Sequence, residues 1–171
     1  QDVRGYLKMM FAILVDGSRQ AVSIIAACAC AGIIVGVISL TGLGLTLSSA
    51  LVDLAGGSLF LLLLYTAIAC VILGMGLPVT ACYIILAVLA APAIVKLGVP
   101  AIAAHLFVMY YGVLSNITPP VALASYVAAG ISKSKPLSVA VTSCKMGIVL
   151  FVLPFMFVYQ PVLILQDVRA V

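Results

Sequence analysis

The chain has 171 residues, of which 66% are hydrophobic and only 7% are charged, and its mean hydropathy is +1.42. A soluble domain carries about 25% charged residues, so this composition excludes an ordinary soluble domain. The net charge is +4, but the basic residues are scattered, which argues against a nucleic-acid-binding surface. Three stretches, 20–52, 54–95 and 146–166, contain no charged residue, and each is long enough to cross a bilayer. We therefore predict an all-α integral membrane protein.

The first element in chain order is an amphipathic stretch over residues 2–19. Its apolar side chains are interspersed with Arg4, Lys8, Asp16 and Arg19. This pattern is typical of a helix that lies along the membrane surface, and equally of the juxtamembrane end of a spanning helix. Both interpretations stay open. We expect residues 1–171 to form a single transmembrane domain that is a fragment of a larger protein.

Residues 20–57 are predicted to form a span followed by an interfacial helix that ends near Gly56. The span is rich in small residues, which permit close contact between membrane helices. The sequence Thr41-Gly42-Leu43-Gly44 then interrupts the helix. Two nearby glycines expose backbone carbonyls, so Thr41 and Gly42 are candidates for unwound chain that faces an ion or a substrate. The alternative is a simple turn at the membrane edge.

Residues 58–97 are predicted to form a helical hairpin. Its first arm stops at Gly74-Met75-Gly76-Leu77-Pro78, because two glycines and a proline end one helix and start another. Each arm is short for a full span, so we favour a re-entrant hairpin with this sequence at its tip over two complete spans. Thr80 follows the tip, where it is expected to help satisfy free amides. Pro92 should kink the second arm.

The next predicted element, residues 100–132, is a helix that is broken in its middle. Pro119 and Pro120 remove two backbone donors, and their rings clash with the preceding turn. The residue before each proline is also pushed out of the α region. In hydrocarbon, a broken helix survives only where it is buried in protein or lines a polar cavity. We predict half-helices over 101–114 and 120–131, and a small polar site between them that contains Ser115, Asn116 and Thr118. A last span is predicted over 137–160, with Pro154 inside it.

The positive-inside rule gives this layout an orientation. The side predicted to be cytoplasmic carries Arg4, Lys8, Arg19, Lys133 and Lys135. Lys96 and Arg169 lie on the opposite side. Lys145 is two turns into the last span, and we expect its side chain to reach back toward the cytoplasmic face. The predicted location is the cell inner (plasma) membrane, which the chain crosses several times.

The cysteines and the histidine give little indication of a chemical function. The five cysteines fall in apolar runs and are interpreted as buried small hydrophobes. His105 is interpreted as a packing side chain, with a proton relay as the alternative. The sequence shows no Ser/His/Asp set, metal cluster or phosphate loop, so we predict neither an enzyme nor a bound organic cofactor. Asn116 is the most polar group in the break, where it either contacts a substrate or caps a neighbouring helix.

Four stretches carry a family resemblance. They are GIIVGVISLTGLG at 32–44, LGMGLPVTACY at 73–83, AAPAIVKLGV at 90–99 and HLFVMYYGVLSNITPPVA at 105–122. Together they resemble the large membrane subunit of TRAP transporters, the tripartite ATP-independent periplasmic transporters, and most of all the fused permeases of the TAXI type. The combination of Gly-Met-Gly-Leu-Pro with Thr-Pro-Pro at this separation is the specific part of the resemblance.

The resemblance implies an ion-transporter-type fold built from two inverted repeats, each with a re-entrant hairpin and a broken helix. This chain is similar to the second repeat, the C-terminal part. In sodium-coupled members, one Na⁺ lies between the hairpin tip and the break. When this site is transferred to the matching positions of the present sequence, its expected ligands are mainly the backbone carbonyls of Gly74, Ser115, Thr118 and Val121. Ser115 replaces the usual glycine, and Pro78 stands near the place where other branches have an acidic residue.

The resemblance also implies a function. It is the membrane permease component of a secondary active importer of organic acids, driven by a cation gradient without ATP. The expected coupling ion is Na⁺, with H⁺ as the alternative. The expected partners are the lipid bilayer, a periplasmic substrate-binding protein, a small carboxylate substrate, and the missing N-terminal half with a small membrane subunit or its fused equivalent. No nucleic acid is expected. We expect substrate contacts at Asn116, Thr41, Gly42 and Thr80. The alternative function is a channel-like or structural membrane module with kinked helices.

Overall fold

A computed structural model describes residues 3–165, and for residues 3, 20, 23, 24 and 27 it describes the backbone alone. Arg169 therefore lies outside the described residues. The described chain contains no strand, and its elements are α1 Val3–Thr41, α2 Leu43–Leu54, α3 Leu59–Gly74, α4 Val79–Leu89, α5 Ala91–Lys96, α6 Ala101–Leu114, α7 Leu123–Ser132, α8 Pro136–Met146, α9 Ile148–Tyr159 and a 3₁₀ helix Pro161–Ile164. The prediction of an all-α fold is confirmed.

Helix α6 is the centre of the fold, because α3, α4, α5 and α9 all pack around it. Its fully buried face includes Phe107 and Val108. The rings of Phe107 and Tyr111 meet Phe155 of α9 edge to face, with centroid separations of 5.4 and 6.3 Å. Tight contacts of this kind stabilise helix association in lipid, where the hydrophobic effect between helices is absent. They hold α6 firmly up to the point where the chain breaks.

The outer surface is apolar. Large side chains such as Leu40 and Ile131 are 90% and 82% exposed, as expected of a protein that lipid solvates. Within residues 3–165, Val79–Lys96 is long and apolar enough to cross a membrane. Two bent helix pairs also qualify when each is taken as one span: Cys28–Thr41 with Leu43–Leu54, and Pro136–Met146 with Ile148–Tyr159.

Helix α1 is continuous through the stretch for which we left two interpretations open, an interfacial helix over 2–19 and the juxtamembrane end of a span. One helix of 39 residues runs from Val3 to Thr41. At 1.5 Å per residue this helix is about 58 Å long, nearly twice the thickness of the hydrocarbon core. The stretch contains no proline, and an isolated glycine such as Gly17 weakens a helix without ending it. Ala31, near the other end of α1, is buried against α4.

The chain turns sharply at Gly42. Helices α1 and α2 meet there at 75°, and Gly42 has a φ of +69°, which favours glycine. The Gly42 carbonyl accepts hydrogen bonds from the amides of Leu45 and Thr46 at 3.1 and 3.2 Å. The chain therefore makes a hydrogen-bonded turn at this point.

Helix α3 pairs with α4 and α5 to form a helical hairpin. Gly74 contacts Cys82 at the tip, and Leu62 shares a buried cluster with Ala93 near the open end. The second arm is interrupted at Ala90, and α5 begins with Pro92 in its first turn. The position of this interruption agrees with the kink expected from Pro92.

The last predicted span, over 137–160, is also bent. Helices α8 and α9 meet at 43° around Gly147, while Pro154 lies inside α9 without ending it. A Cβ added to Gly147 would lie 3.3 Å from Ile117 Cδ1 and 3.1 Å from the Ser143 carbonyl oxygen. The bend therefore lies where the last helix pair packs closely against the break that follows α6.

A matched pair of glycine substitutions tests this packing. A Cβ added to Gly112 of α6 would lie 3.0 Å from Cys82 Sγ and 3.3 Å from Leu86 Cδ1, whereas one added to Gly130 of α7 meets nothing within 4 Å. Both Gly112→Ala and Gly130→Ala gain the same helix propensity, so the difference between them reports the contact. We expect Gly112→Ala to be less stable than Gly130→Ala by about 1–3 kcal/mol. Equal thermal unfolding midpoints of the two full-length proteins in detergent would contradict this packing.

Candidate functional site

The tip of the hairpin lies directly against the break in the following helix. A Cβ added to Gly74, the last residue of α3, would lie 2.7 Å from Ser115 Oγ and 3.1 Å from Ser115 Cβ. Both residues are buried, and only 1% of Ser115 is exposed. Two interruptions that are far apart in sequence therefore meet inside the protein.

Close approach at this point depends on two glycines and one cysteine. Cys82 Sγ would lie 3.0 Å from a Cβ added to Gly74 and 3.0 Å from one added to Gly112. The thiol of Cys82 thus fills the space where α3, α4 and α6 converge. Sequence analysis treated Cys82 only as a small hydrophobe and passed over Gly112. Gly112 could have been identified from the sequence, because Gly112 and Ser115 are small residues three positions apart just before the double proline.

The prolines at both interruptions remove the donors of specific carbonyls. In an α-helix, the carbonyl of residue i accepts from the amide of residue i+4, and a proline nitrogen carries no hydrogen. Pro78 is four residues after Gly74, and Pro119 is four residues after Ser115. The carbonyls of Gly74 and Ser115, on the two sides of the contact, therefore both lose their helical partner.

These carbonyls keep free hydrogen-bonding capacity. The Gly74 oxygen accepts from the Leu77 amide, and the Ser115 oxygen from the Thr118 amide, each at the long distance of 3.3 Å. The Val121 oxygen receives no hydrogen bond from residues 3–165. A carbonyl oxygen has two lone pairs, so each of these oxygens has at least one left for another ligand.

The two hydroxyl groups of the break are oriented alike. The Ser115 hydroxyl donates to the Gly112 carbonyl at 2.6 Å, and the Thr118 hydroxyl donates to the Leu114 carbonyl at 2.7 Å. Because both protons point back along α6, the lone pairs of both oxygens stay available. An uncharged group of oxygen acceptors of this kind suits a hard monovalent cation such as Na⁺.

The structure brings together part of the predicted ion site. Gly74 and Ser115 are in contact, and Thr118 and Val121 follow Ser115 on the same non-helical stretch, where both are half-buried. The Thr118 carbonyl accepts from the Ala122 amide at 3.2 Å, which also leaves it one lone pair. All four predicted residues thus lie at the tip or in the break, and their oxygens fit the chemistry of a cation ligand.

Asn116 caps a helix through its backbone. Its carbonyl, which Pro120 deprives of a helical donor, accepts from the Ala124 amide in the first turn of α7 at 3.0 Å. Its side-chain Nδ2 donates to the Val113 carbonyl at 3.2 Å. Helix α7 begins at Leu123, not at residue 120 as predicted, because Ala122 has a left-handed conformation with a φ of 36°. The backbone of Asn116 therefore caps α7, while its side chain bonds to α6 instead, and a substrate contact through that side chain stays a prediction.

Thr80 does not satisfy free amides as expected. It is already the second residue of α4, beyond the cap position from which a hydroxyl accepts an amide proton, and α4 has no side-chain cap. The amides of Val79, Thr80 and Ala81 find no acceptor within residues 3–165. The amino terminus of α4 therefore presents free N–H groups and a partial positive charge beside the hairpin tip.

Thr41 and Gly42 lie at a different place. Gly44 packs against Val88, ten residues beyond Pro78 along the hairpin arm, which is about 15 Å at the helical rise. The Thr41 hydroxyl donates back to the Val37 carbonyl at 2.7 Å. The structure does not bring these two residues to the break.

His105 has a hydrogen-bonding partner away from the break. Its Nδ1 lies 3.1 Å from Tyr83 Oη, and the two rings are 6.2 Å apart in an edge-to-face arrangement. This contact joins α4 to α6 and fits the interpretation of a packing histidine.

Comparison with known proteins adds a family. A family model described as "Tripartite ATP-independent periplasmic transporter, DctM component" matches residues 2–170, nearly the whole chain. No curated protein and no solved structure matches the chain.

The contact between the tip and the break can be tested without any assay of activity. We expect Gly74→Ala to destabilise the protein, because its new Cβ must displace Ser115 Oγ or Cys82 Sγ. Ser115→Gly removes two of the three closest atoms, so the double variant should recover part of the loss. The coupling free energy should be about 0.5–3 kcal/mol, from unfolding midpoints of the purified full-length protein.

Ser49→Gly provides the control for this cycle, because Ser49 is exposed on α2. It should not rescue Gly74→Ala. Strict additivity of Gly74→Ala and Ser115→Gly would show that the two residues are not in contact.

Proposed function

Because the chain belongs to the DctM component family of tripartite ATP-independent periplasmic transporters, we propose that it carries a small organic acid across the inner membrane together with a cation. Family membership makes the chain a membrane permease component and implies a periplasmic binding protein as its partner. The proposal adds the cation gradient as the energy source, a carboxylate as the transported group, and delivery of that carboxylate by the binding protein.

The contact between Gly74 and Ser115 carries the proposal. Proline-freed carbonyls on both sides of one buried contact are an unfavourable arrangement in lipid, since each keeps only a long turn bond where polar groups must find their partners inside the protein. Secondary transporters use such interruptions of membrane helices to hold a coupling ion near the middle of the bilayer. A binding site accounts for an arrangement that would otherwise only destabilise the fold.

The available groups favour Na⁺ over H⁺ as the coupling ion. Na⁺ requires only oxygen lone pairs, which the carbonyls and hydroxyls of the break supply without a formal charge. A proton requires a titratable group, but residues 59–165 contain no Asp or Glu. His105 is hydrogen-bonded to Tyr83 instead of lying in the break.

The amino end of α4 suits the anionic substrate. Three free amides and a helix dipole stand beside the tip, and such helix termini bind anions through their N–H groups. A carboxylate held there would lie near the cation held by the carbonyls of the tip and the break. The proximity of opposite charges gives a physical basis for coupled binding.

Uptake into proteoliposomes that contain the complete transporter tests the coupling. We expect a labelled carboxylate to accumulate only when the binding protein is present and Na⁺ is higher outside. Monensin, which dissipates the Na⁺ gradient, should abolish accumulation, whereas a protonophore should not. Accumulation that follows the pH gradient instead would identify H⁺ as the coupling ion, and conductance that needs neither gradient nor binding protein would favour a channel.

A substitution at Thr118 tests the predicted ion site. Thr118→Val removes one oxygen while it keeps the shape of the side chain, so we expect the Na⁺ concentration for half-maximal uptake to rise about 10-fold, as for a lost bond to a charged group. Thr142→Val is the matched control, because the Thr142 hydroxyl makes the same kind of bond, to the Ser138 carbonyl at 2.8 Å, on the exposed face of α8. An unchanged Na⁺ dependence in Thr118→Val would reject the Thr118 hydroxyl as a ligand.

A further inference from the structure

Lys145 lies at the depth of the break. The thiol of its neighbour Cys144 donates to the Ile117 carbonyl at 3.2 Å. Two residues further on, a Cβ added to Gly147 would lie 3.3 Å from Ile117 Cδ1. Lys145 is therefore level with the non-helical stretch that follows α6, and its side chain is exposed on α8.

With the polar loop before α8 taken as the membrane surface, the lengths of the flanking helices put this lysine near the middle of the bilayer. Helix α8 begins at Pro136 after the polar loop, and nine residues at 1.5 Å separate Pro136 from Lys145, or about 14 Å. Half of the hydrocarbon core is about 15 Å. Helix α7 covers a similar distance between the break and the same loop. The four-carbon stem of lysine spans only part of this depth, so reaching back to the interface does not fully explain the residue.

An ammonium group at this depth requires an anionic partner. Ionisable residues inside membranes face a cavity or the protein interior and pair with another group. Lys145 makes no salt bridge with any group in residues 3–165, and residues 59–165 contain no Asp or Glu. It lies in the last turn of α8, where the helix carboxyl end carries partial negative charge. The described part of the chain thus offers the ammonium group a helix end and no carboxylate partner.

We propose that Lys145 binds a carboxylate of the transported substrate at the depth of the break, at a different step of transport from its binding at the amino end of α4. This inference rests on the proposed function, since it assigns a substrate contact to the same permease. The substrate supplies the anion that residues 59–165 lack, and it passes the lysine only during transport. A lysine of this kind would then determine affinity for the acid without contributing to the cation site.

Proteoliposomes with the complete transporter and its binding protein provide the test. The probe is whichever labelled acid the unaltered transporter accumulates from a set of pyruvate, succinate, glutamate and citrate. We expect Lys145→Met to raise the KM for that acid about 10-fold or more, the effect of losing a charged partner. The Na⁺ concentration for half-maximal uptake, measured with the acid far below its KM, should stay within about twofold of the unaltered protein, because the cation ligands are untouched and the linkage acts only when the acid is bound.

Two further variants separate binding from structure. Lys145→Arg keeps the charge and should retain most of the affinity, whereas Lys135→Met removes a charge from the loop before α8 and should leave KM unchanged. Competition between acids gives a more direct measurement. An unlabelled acid should inhibit uptake of the labelled acid, and replacing one of its carboxylates by a carboxamide should weaken this inhibition about 10-fold in the unaltered protein. In Lys145→Met, the acid and its carboxamide should inhibit almost equally.

The outcomes are distinct. An unchanged KM in Lys145→Met overturns the inference and leaves the proposed function standing, as expected of a lysine that only extends to the interface. Loss of protein from the membrane in Lys145→Met, with KM unchanged in the milder Lys145→Gln, also overturns it and indicates a structural pairing with a protein carboxylate. Failure of the unaltered transporter to accumulate any of the acids contradicts the proposed function itself.

Discussion

Every backbone carbonyl in the hydrocarbon core needs a donor, and this requirement governs the structure around the break. Pro78, Pro119 and Pro120 take the helical donors away from the carbonyls of Gly74, Ser115 and Asn116. Only the Asn116 carbonyl regains a bond of ordinary length, from the Ala124 amide at 3.0 Å. The carbonyls of Gly74 and Ser115 keep long turn bonds, and both residues are buried where the hairpin meets the break. Burial at a polar contact is one of the two conditions under which a broken membrane helix persists.

Small residues allow the burial, and aromatic residues hold it in place. Glycines at the hairpin tip and in α6 let Cys82 lie between them, and Gly147 lets the last helix pair approach the break from the other side. Helix α6 is fixed against α9 by edge-to-face ring contacts, and the Tyr111 hydroxyl donates to the Phe151 carbonyl. Helix α7, beyond the break, packs mainly on α8 instead. The break therefore separates a firmly packed half-helix from one that a single neighbour supports.

The positions of the interruptions could be read from the sequence, because glycine and proline act on the backbone locally. Helices are interrupted at Gly74–Pro78, at Ala90 just before Pro92, and around Thr118–Pro120. The continuity of α1 stayed open at the level of sequence, since an amphipathic pattern reports the surroundings of a helix and not where it ends. The bend at Gly147 was also missed, because the local residue types do not show that Gly147 packs closely against Ile117 from a distant part of the chain. Contacts such as Cys82 with Gly112 depend on how helices cross, and local residue types do not encode that.

The break contacts the hairpin tip on one side and α8 on the other, and this arrangement suggests how cation binding and substrate binding are coupled. Ser115 faces the hairpin tip, while the Ile117 carbonyl, two residues on, accepts the thiol proton of Cys144 beside Lys145. A cation that binds the Ser115 and Thr118 oxygens would order the same four-residue stretch against which α8 packs. It would thereby favour one position of the Lys145 ammonium, and a carboxylate bound there would favour the ordered stretch in return. Linkage makes the two effects equal in free energy, so a cation site with no formal charge can still control the affinity for an anion.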